Sequence, residues 1–222
     1  EGLGTKACMA EFVYEQTGDA SVYAKTSHCT VAMIVNDLIT SGILPVTVQM
    51  YFAVGASEWL QDHKRVEAVM RGWRDACIES HAAWIEGETP SLKRVINPKH
   101  ADFAGCATGY LAEGFKTFDD QLEIGDRIIG FKSSGVHANG MTGIQDLAEE
   151  KLTMDERVTL YKQCLVGTRL YVSLVSAMHD CNILPTRVEN ITGHGFRKIM
   201  RSHKPFTYRI KKIHQPQSVF LD

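Results

Sequence analysis

Apolar residues along this chain come in runs whose period changes from one segment to the next. VAMIVNDLI, residues 31–39, is apolar until Asn36-Asp37. After a turn at Ser41-Gly42, the run from Leu44 to Val54 is rich in β-branched and aromatic side chains, which predicts helix, turn and then a buried strand. From 58 to 81, Trp59, Leu60, Val66, Val69, Met70, Trp73, Ala76 and Cys77 recur at helical spacing and predict an amphipathic helix. AAWIEGETP predicts a short strand entering a polar turn before Pro90, and ADFAGCATGYLAEG a strand of small residues in which backbones approach closely. The chain turns polar between Gly114 and Gly125 and restarts at GDRIIGFKSSGVHANG, where RIIGF predicts a strand followed by a loop carrying His137 and Asn139. A helical stretch from about 154 to 180 places Tyr161, Leu165, Thr168, Val172 and Val175 on one face. Strands alternate with helices and no repeat appears, so the class is α/β or α+β in two domains, divided between Gly114 and Gly125.

Composition removes several functions. With 222 residues, 44% hydrophobic, the chain can bury a sizeable core. A net charge of −2 leaves no basic surplus for a nucleic-acid backbone or an anionic membrane. No apolar run approaches the roughly 20 residues of a membrane span and no signal pattern opens the chain, so a cytoplasmic protein is expected. The six cysteines contain no C-x-x-C pair and read as buried free thiols. The sequon at Asn190 matters only in a secreted protein.

Five polar turns carry the candidate chemistry: GLGTK, VND, GET, SSGVHANG and ITGHG. In the first, Gly2 and Gly4 let the backbone approach a ligand, Thr5 adds a hydroxyl and Lys6 a point charge, although the spacing is not that of a Walker A loop. Singly, each turn has a plain structural reading, with Asp37 a helix-end aspartate, Glu88 a solvated acid and His137 a surface histidine. Together they supply anion donors, carboxylates for magnesium and a lysine, which a nucleoside-triphosphate site requires.

In this order, GTK, VAMxVNDLxxxGxxP, GET, GDxxIGxxSSGxHxNG, TRxYV and ITGxG resemble the phosphoribosylformylglycinamidine cyclo-ligase, or aminoimidazole ribonucleotide (AIR) synthetase, family over nearly the whole chain. The resemblance implies an α/β domain, 1–114, that binds ATP and dimerises through its sheet, followed by an incomplete α+β domain, 115–222. It implies ATP-dependent ring closure of formylglycinamidine ribonucleotide to AIR, with ADP and phosphate released. The amide oxygen is a poor leaving group, so ATP phosphorylates it before an internal nitrogen attacks, and the enzyme positions and neutralises charge.

By the same resemblance Gly4, Thr5 and Lys6 lie near the phosphates, with Asn36, Glu88 and Thr89 in the same cleft. Asp37, with Glu1, holds magnesium; Ser133, Ser134, Gly135, His137, Asn139, Thr192 and Gly193 hold the substrate. Lys6, Asp37 and His137 are the catalytic candidates, His137 either moving a proton during cyclisation or hydrogen-bonding phosphate. Glu1 stands where the family usually has aspartate, Ser91 replaces an acid after GET, and His194 replaces the middle glycine of ITGGG. Family chains begin upstream with a glycine-rich segment and continue beyond HQPQSVFLD, so this chain reads as a fragment or a reduced member of the family. The alternatives are another ATP-using member of the superfamily, or a non-catalytic homologue serving as a binding subunit.

Overall fold

The computed structural model describes residues 1–214. Its first half is a three-stranded sheet with helices on one face. Helix α1 (Lys6–Thr17) leads into α2 (Ser21–Leu38), a short 3-10 turn (Ile39–Ser41) and strand β1 (Leu44–Val54); a second 3-10 turn (Ser57–Gln61), α3 (His63–Glu79), β2 (Ala83–Glu88) and β3 (Ala101–Tyr110) follow. The sheet order is β2-β1-β3, with β1 parallel to β2 and antiparallel to β3. The helix, turn and strand expected between 31 and 54 are present, as are the strands at 83–88 and 101–110. The amphipathic helix starts later than 58 because Asp62 caps it, accepting from the N–H groups of Lys64 and Arg65, and Ser57–Gln61 winds separately as a 3-10 turn.

Helix α2 is the spine of this half. It is buried from Thr26 to Asn36 except at half-buried His28, because it has neighbours on several sides: the sheet, α1, α3 and the segment 166–171. Against α3 the approach is close enough that a Cβ on Gly72 would lie 2.0 Å from the Ala24 carbonyl oxygen. Beneath α2, Phe52 stacks on Phe103 at 5.0 Å, and Trp59 meets Tyr23 edge-on at 5.4 Å. Glu11 is buried in this corner and accepts hydrogen bonds from Tyr23 Oη (2.6 Å), Trp59 Nε1 (2.7 Å) and Arg65 (3.3 Å), which satisfy a carboxylate that would otherwise be costly to bury.

The opposite face of the sheet is bare. Along β1, Val48, Met50 and Phe52 are buried under the helices, whereas the alternating Thr47, Gln49 and Tyr51 are half-buried; on β3, Cys106, Thr108 and Tyr110 are exposed, and β2 is exposed throughout. Among the described residues, only one face of the expected buried strand is therefore covered.

Residues 111–140 contain no helix or strand, so RIIGF is not a strand, and Ile128 and Ile129 are 53% and 76% exposed. Without a neighbouring strand the run has no partner for its backbone groups. Helices α4 (Met141–Lys151), α5 (Met154–Cys164) and α6 (Val172–Asp180) follow. The single helix expected from 154 to 180 is thus two helices, the first opened by a capping box between Thr153 and Glu156. Tyr161, Leu165, Thr168, Val172 and Val175 are nevertheless all buried, as the pattern required. Among the cysteines, all free, Cys29, Cys77 and Cys164 are buried and Cys8 is half-buried, but Cys106 and Cys181 are exposed, against expectation. No helix among the described residues is long and apolar enough to cross a membrane.

Candidate functional site

The opening glycine-rich run is the start of a helix. Gly4 adopts φ +68°, a left-handed turn that admits glycine readily, and α1 begins at Lys6 with no side chain capping its first N–H groups. Helix α4 begins in the same manner, after Gly140 at φ +78° and without a side-chain cap. The two N-termini meet: Thr5 Oγ1 lies 2.7 Å from Thr142 Oγ1. Two positive helix ends and two hydroxyls converge on one place, a suitable environment for a polyanion.

Lys6 does something the sequence does not suggest. Its side chain is fully buried, and Nζ donates to the main-chain carbonyls of His137 (2.5 Å) and Val166 (3.3 Å), with no carboxylate paired to it among the described residues. It ties the SSGVHANG loop and the segment between α5 and α6 to α1, and it leaves an uncompensated positive charge behind the helix ends.

That segment, residues 166–171, breaks the expected long helix because side chains from α2 take over its backbone groups. His28 Nε2 bonds the Thr168 carbonyl (2.8 Å), and the Cys29 thiol donates to the Val166 carbonyl while its sulfur accepts from the Thr168 N–H. Further along α2, the Asn36 side chain donates to the Arg169 carbonyl (2.8 Å) and accepts from the Tyr171 N–H (3.1 Å). Asn36 is therefore a clamp on this segment. From the other side Ser134 Oγ donates to the Gly167 carbonyl at 2.6 Å, and Arg169 and Tyr171 both reach the Lys132 carbonyl.

His137 sits at the centre of this arrangement with φ +56°. Its Nε2 accepts from the Ser134 N–H at 3.2 Å. Burial, with Lys6 and Arg169 nearby, pushes its pKa down to about 4. Asn139 of the same loop reaches the ITGHG turn, where a Cβ on Gly193 would lie 3.2 Å from Asn139 Oδ1; Thr192 closes that turn by accepting from the Gly195 N–H.

Asp37 occupies the last turn of α2, half-buried, where the helix dipole is negative and a cation is favoured. Its Oδ1 accepts from Asn190 Nδ2 at 2.7 Å, and Oδ2 has no protein partner among the described residues. Asn190, read in the sequence only as part of a sequon, is thus the side chain that orients the candidate Asp37. Among the described residues no group of three or more His, Cys, Asp or Glu side chains gathers as a metal cage. An oxygen ligand with one lone-pair side free suits Mg2+, which keeps several waters and commonly takes one or two carboxylates plus phosphate oxygens.

Other candidates stand apart. Glu1 is exposed and extends the sheet, its ammonium and carbonyl pairing with Gly105. Ser133 is exposed. Glu88 and Thr89 end β2 on the bare edge of the sheet, and their side chains make no hydrogen bond with Lys6, Asp37 or His137; Thr89 instead lines a shallow cleft of about 280 Å³ with Met50, Trp84 and Ile85.

Residues 6–111 match the family described as AIR synthase related protein, N-terminal domain. Over its full length the chain is 31% identical to the phosphoribosylformylglycinamidine cyclo-ligase of Thermoplasma acidophilum and 29% identical to that of Methanocaldococcus jannaschii, covering 63% and 62% of those proteins. Against the Syntrophus aciditrophicus enzyme of the same name, identity is 28% over 88% of this chain and 55% of the relative. The chain therefore spans less than two thirds of the length of these curated relatives.

Proposed function

We propose, from the premise that this chain is kin to the phosphoribosylformylglycinamidine cyclo-ligases, that its site takes part in ATP-dependent closure of formylglycinamidine ribonucleotide to aminoimidazole ribonucleotide, a step of purine synthesis. The observation that carries this reading is the meeting of two uncapped helix N-termini at Thr5 and Thr142. The N–H groups of Met141, Thr142 and Gly143 on α4 and of Thr5 and Lys6 on α1 would receive phosphate oxygens, those of Ala7 and Cys8 being already bonded to the Gly4 and Thr5 carbonyls, with Gly4 admitting close approach. ATP supplies the phosphoryl group that turns the amide oxygen into a leaving group, and Mg2+ neutralises its phosphates.

The residues then divide the remaining work. Asp37, oriented by Asn190, offers Oδ2 to the cation. Lys6 acts through its field and by fixing two segments, since its ammonium is already bonded to carbonyls. The loop bearing Ser134, Gly135, His137 and Asn139, with Thr192 and Gly193 beside it, would hold the ribonucleotide so that its attacking nitrogen and activated carbon stay in reach. Glu88 and Thr89 belong to the nucleotide only if ATP extends to the sheet edge. We place the domain division at 114/115 and the protein in the cytoplasm, whose reducing conditions suit its free thiols.

The bare sheet face supports a homodimer formed by the N-terminal domain, since Cys106, Thr108 and Tyr110 stand exposed beside half-buried Tyr51. Light scattering giving a monomer near 24.7 kDa would refute that. For the site, isothermal titration with ATP should show heat only with Mg2+ present, and Asp37→Asn should weaken the magnesium-dependent part at least tenfold. ATP heats absent from the unmodified protein would favour a non-catalytic homologue.

A further inference from the structure

We infer that His137 acts as a fixed neutral hydrogen-bond donor through Nδ1–H, not as a proton carrier. The inference rests on the proposed substrate site and goes beyond it by assigning this side chain's chemical form. Ser134 supplies the first argument. A backbone N–H can only donate, and it points at His137 Nε2 from 3.2 Å, so Nε2 must be the unprotonated nitrogen. The neutral ring then carries its proton on Nδ1. Charging the ring would put a second proton on Nε2, directly against the Ser134 N–H, and break this bond.

The surroundings push the same way from every packed element. Lys6 of α1 holds the carbonyl of His137 itself, Arg169 comes from the 166–171 segment, and Tyr171 of that segment approaches ring to ring at 6.5 Å. Two of these neighbours are cations and, among the described residues, no carboxylate pairs with the imidazole to favour its charged form. With the pKa pushed down to about 4, only about one molecule in a thousand would be imidazolium at pH 7. The left-handed backbone at φ +56°, held by the Lys6 bond, fixes where the ring can point.

Nδ1 has no partner among the described residues, so its proton is available to an acceptor oxygen. The fitting class of acceptor is a carbonyl or phosphate oxygen of the bound ribonucleotide, on which a neutral donor stabilises developing negative charge without leaving a spent acid behind.

The test is NMR of the full chain with isotope-labelled histidine, the His137 signals being assigned by their loss in His137→Gln. Long-range proton–nitrogen correlations should report the Nδ1–H tautomer, with a titration midpoint below pH 5. An Nε2–H tautomer, or a midpoint near 6.5, overturns the inference. In Lys6→Met the midpoint should move upward by at least half a pH unit; an unmoved midpoint removes Lys6 from the argument and overturns its part. If Lys6→Met does not fold, the tautomer in the unmodified protein decides alone. These readouts need no ligand, whereas the proposed function stands or falls on magnesium-dependent ATP heats and Asp37→Asn, so the two can fail separately.

Discussion

Lys6→Met tests the part of the site that the structure changed most. A lysine in a glycine-rich opening loop would contribute to phosphate affinity and little to folding. In the structure its ammonium is fully buried and bonded to the carbonyls of His137 and Val166. Hydrogen bonds to a charged group contribute about 1.5–3 kcal/mol each, so two amount to roughly 3–6 kcal/mol. Against this stands the penalty for burying an ammonium with no counter-ion, several kcal/mol, which methionine relieves while filling most of the same volume. Val166 is 36% exposed, so its carbonyl can return to water once released. The net loss should be about 1–2 kcal/mol, a fall in Tm of roughly 2–8 °C for a chain of this size. Thermal melts should be paired with amide hydrogen exchange, where residues 134–139 and 166–168 should lose protection together while α3 keeps its own. An unchanged Tm with full protection in both segments would refute the reasoning, because it would mean that the Lys6 bonds hold nothing.

Three further outcomes follow from other parts of the molecule. Asn190→Ala frees the Asp37 carboxylate and should weaken magnesium-dependent ATP binding about tenfold in calorimetry, with stability within about 1 kcal/mol; unchanged affinity would make that bond purely structural. Gly72→Ala forces a Cβ to 2.0 Å from the Ala24 carbonyl oxygen, backbone that cannot swing aside, so urea midpoints should fall by the equivalent of about 1–3 kcal/mol or more; an unshifted midpoint would show that α2 and α3 separate easily. His137 is held neutral with its pKa near about 4, whereas an unfolded histidine titrates near 6.5, so the unfolded chain takes up the extra proton first. Its contribution is complete above pH 6.5 and is lost as pH falls to 4, at most about 3 kcal/mol and less after solvent screening, and His137→Asn should flatten that limb of a stability–pH curve.

Much of the first half was legible because its elements signal themselves locally. β1 is dense in β-branched and aromatic residues, and α3 repeats its apolar residues at helical spacing. RIIGF carried the same local signal and failed, since a strand also needs a neighbour and none lies beside Ile128 and Ile129. The break between α5 and α6 was illegible for a related reason. What opens the chain there is a set of carbonyl and N–H groups claimed by Lys6, His28, Cys29 and Asn36, and main-chain groups leave no mark in residue identity. The SSGVHANG loop was legible as a unit, since Ser134 and His137 bond one another and Asn139 meets Gly193. The site was unreadable where a motif residue had been turned inward, as Lys6 and Asn36 were, or where the partner of Asp37 lay 153 residues away at Asn190.

Helix α2 works as a ruler for this site. It bonds residues 166–171 through His28, Cys29 and Asn36 and presents Asp37 on the next residue, all on a single rigid rod. At about 1.5 Å per residue, the nine steps from His28 to Asp37 set those contacts roughly 13 Å apart along its axis. One residue inserted between Cys29 and Asn36 would swing the Asn36-Asp37 pair by about 100° and take the carboxylate away from Asn190. Length variation within this stretch should therefore be the least tolerated change in the chain, while the exposed run at 127–131, which lies before the SSGVHANG loop, should absorb insertions with little effect on the spacing of the site.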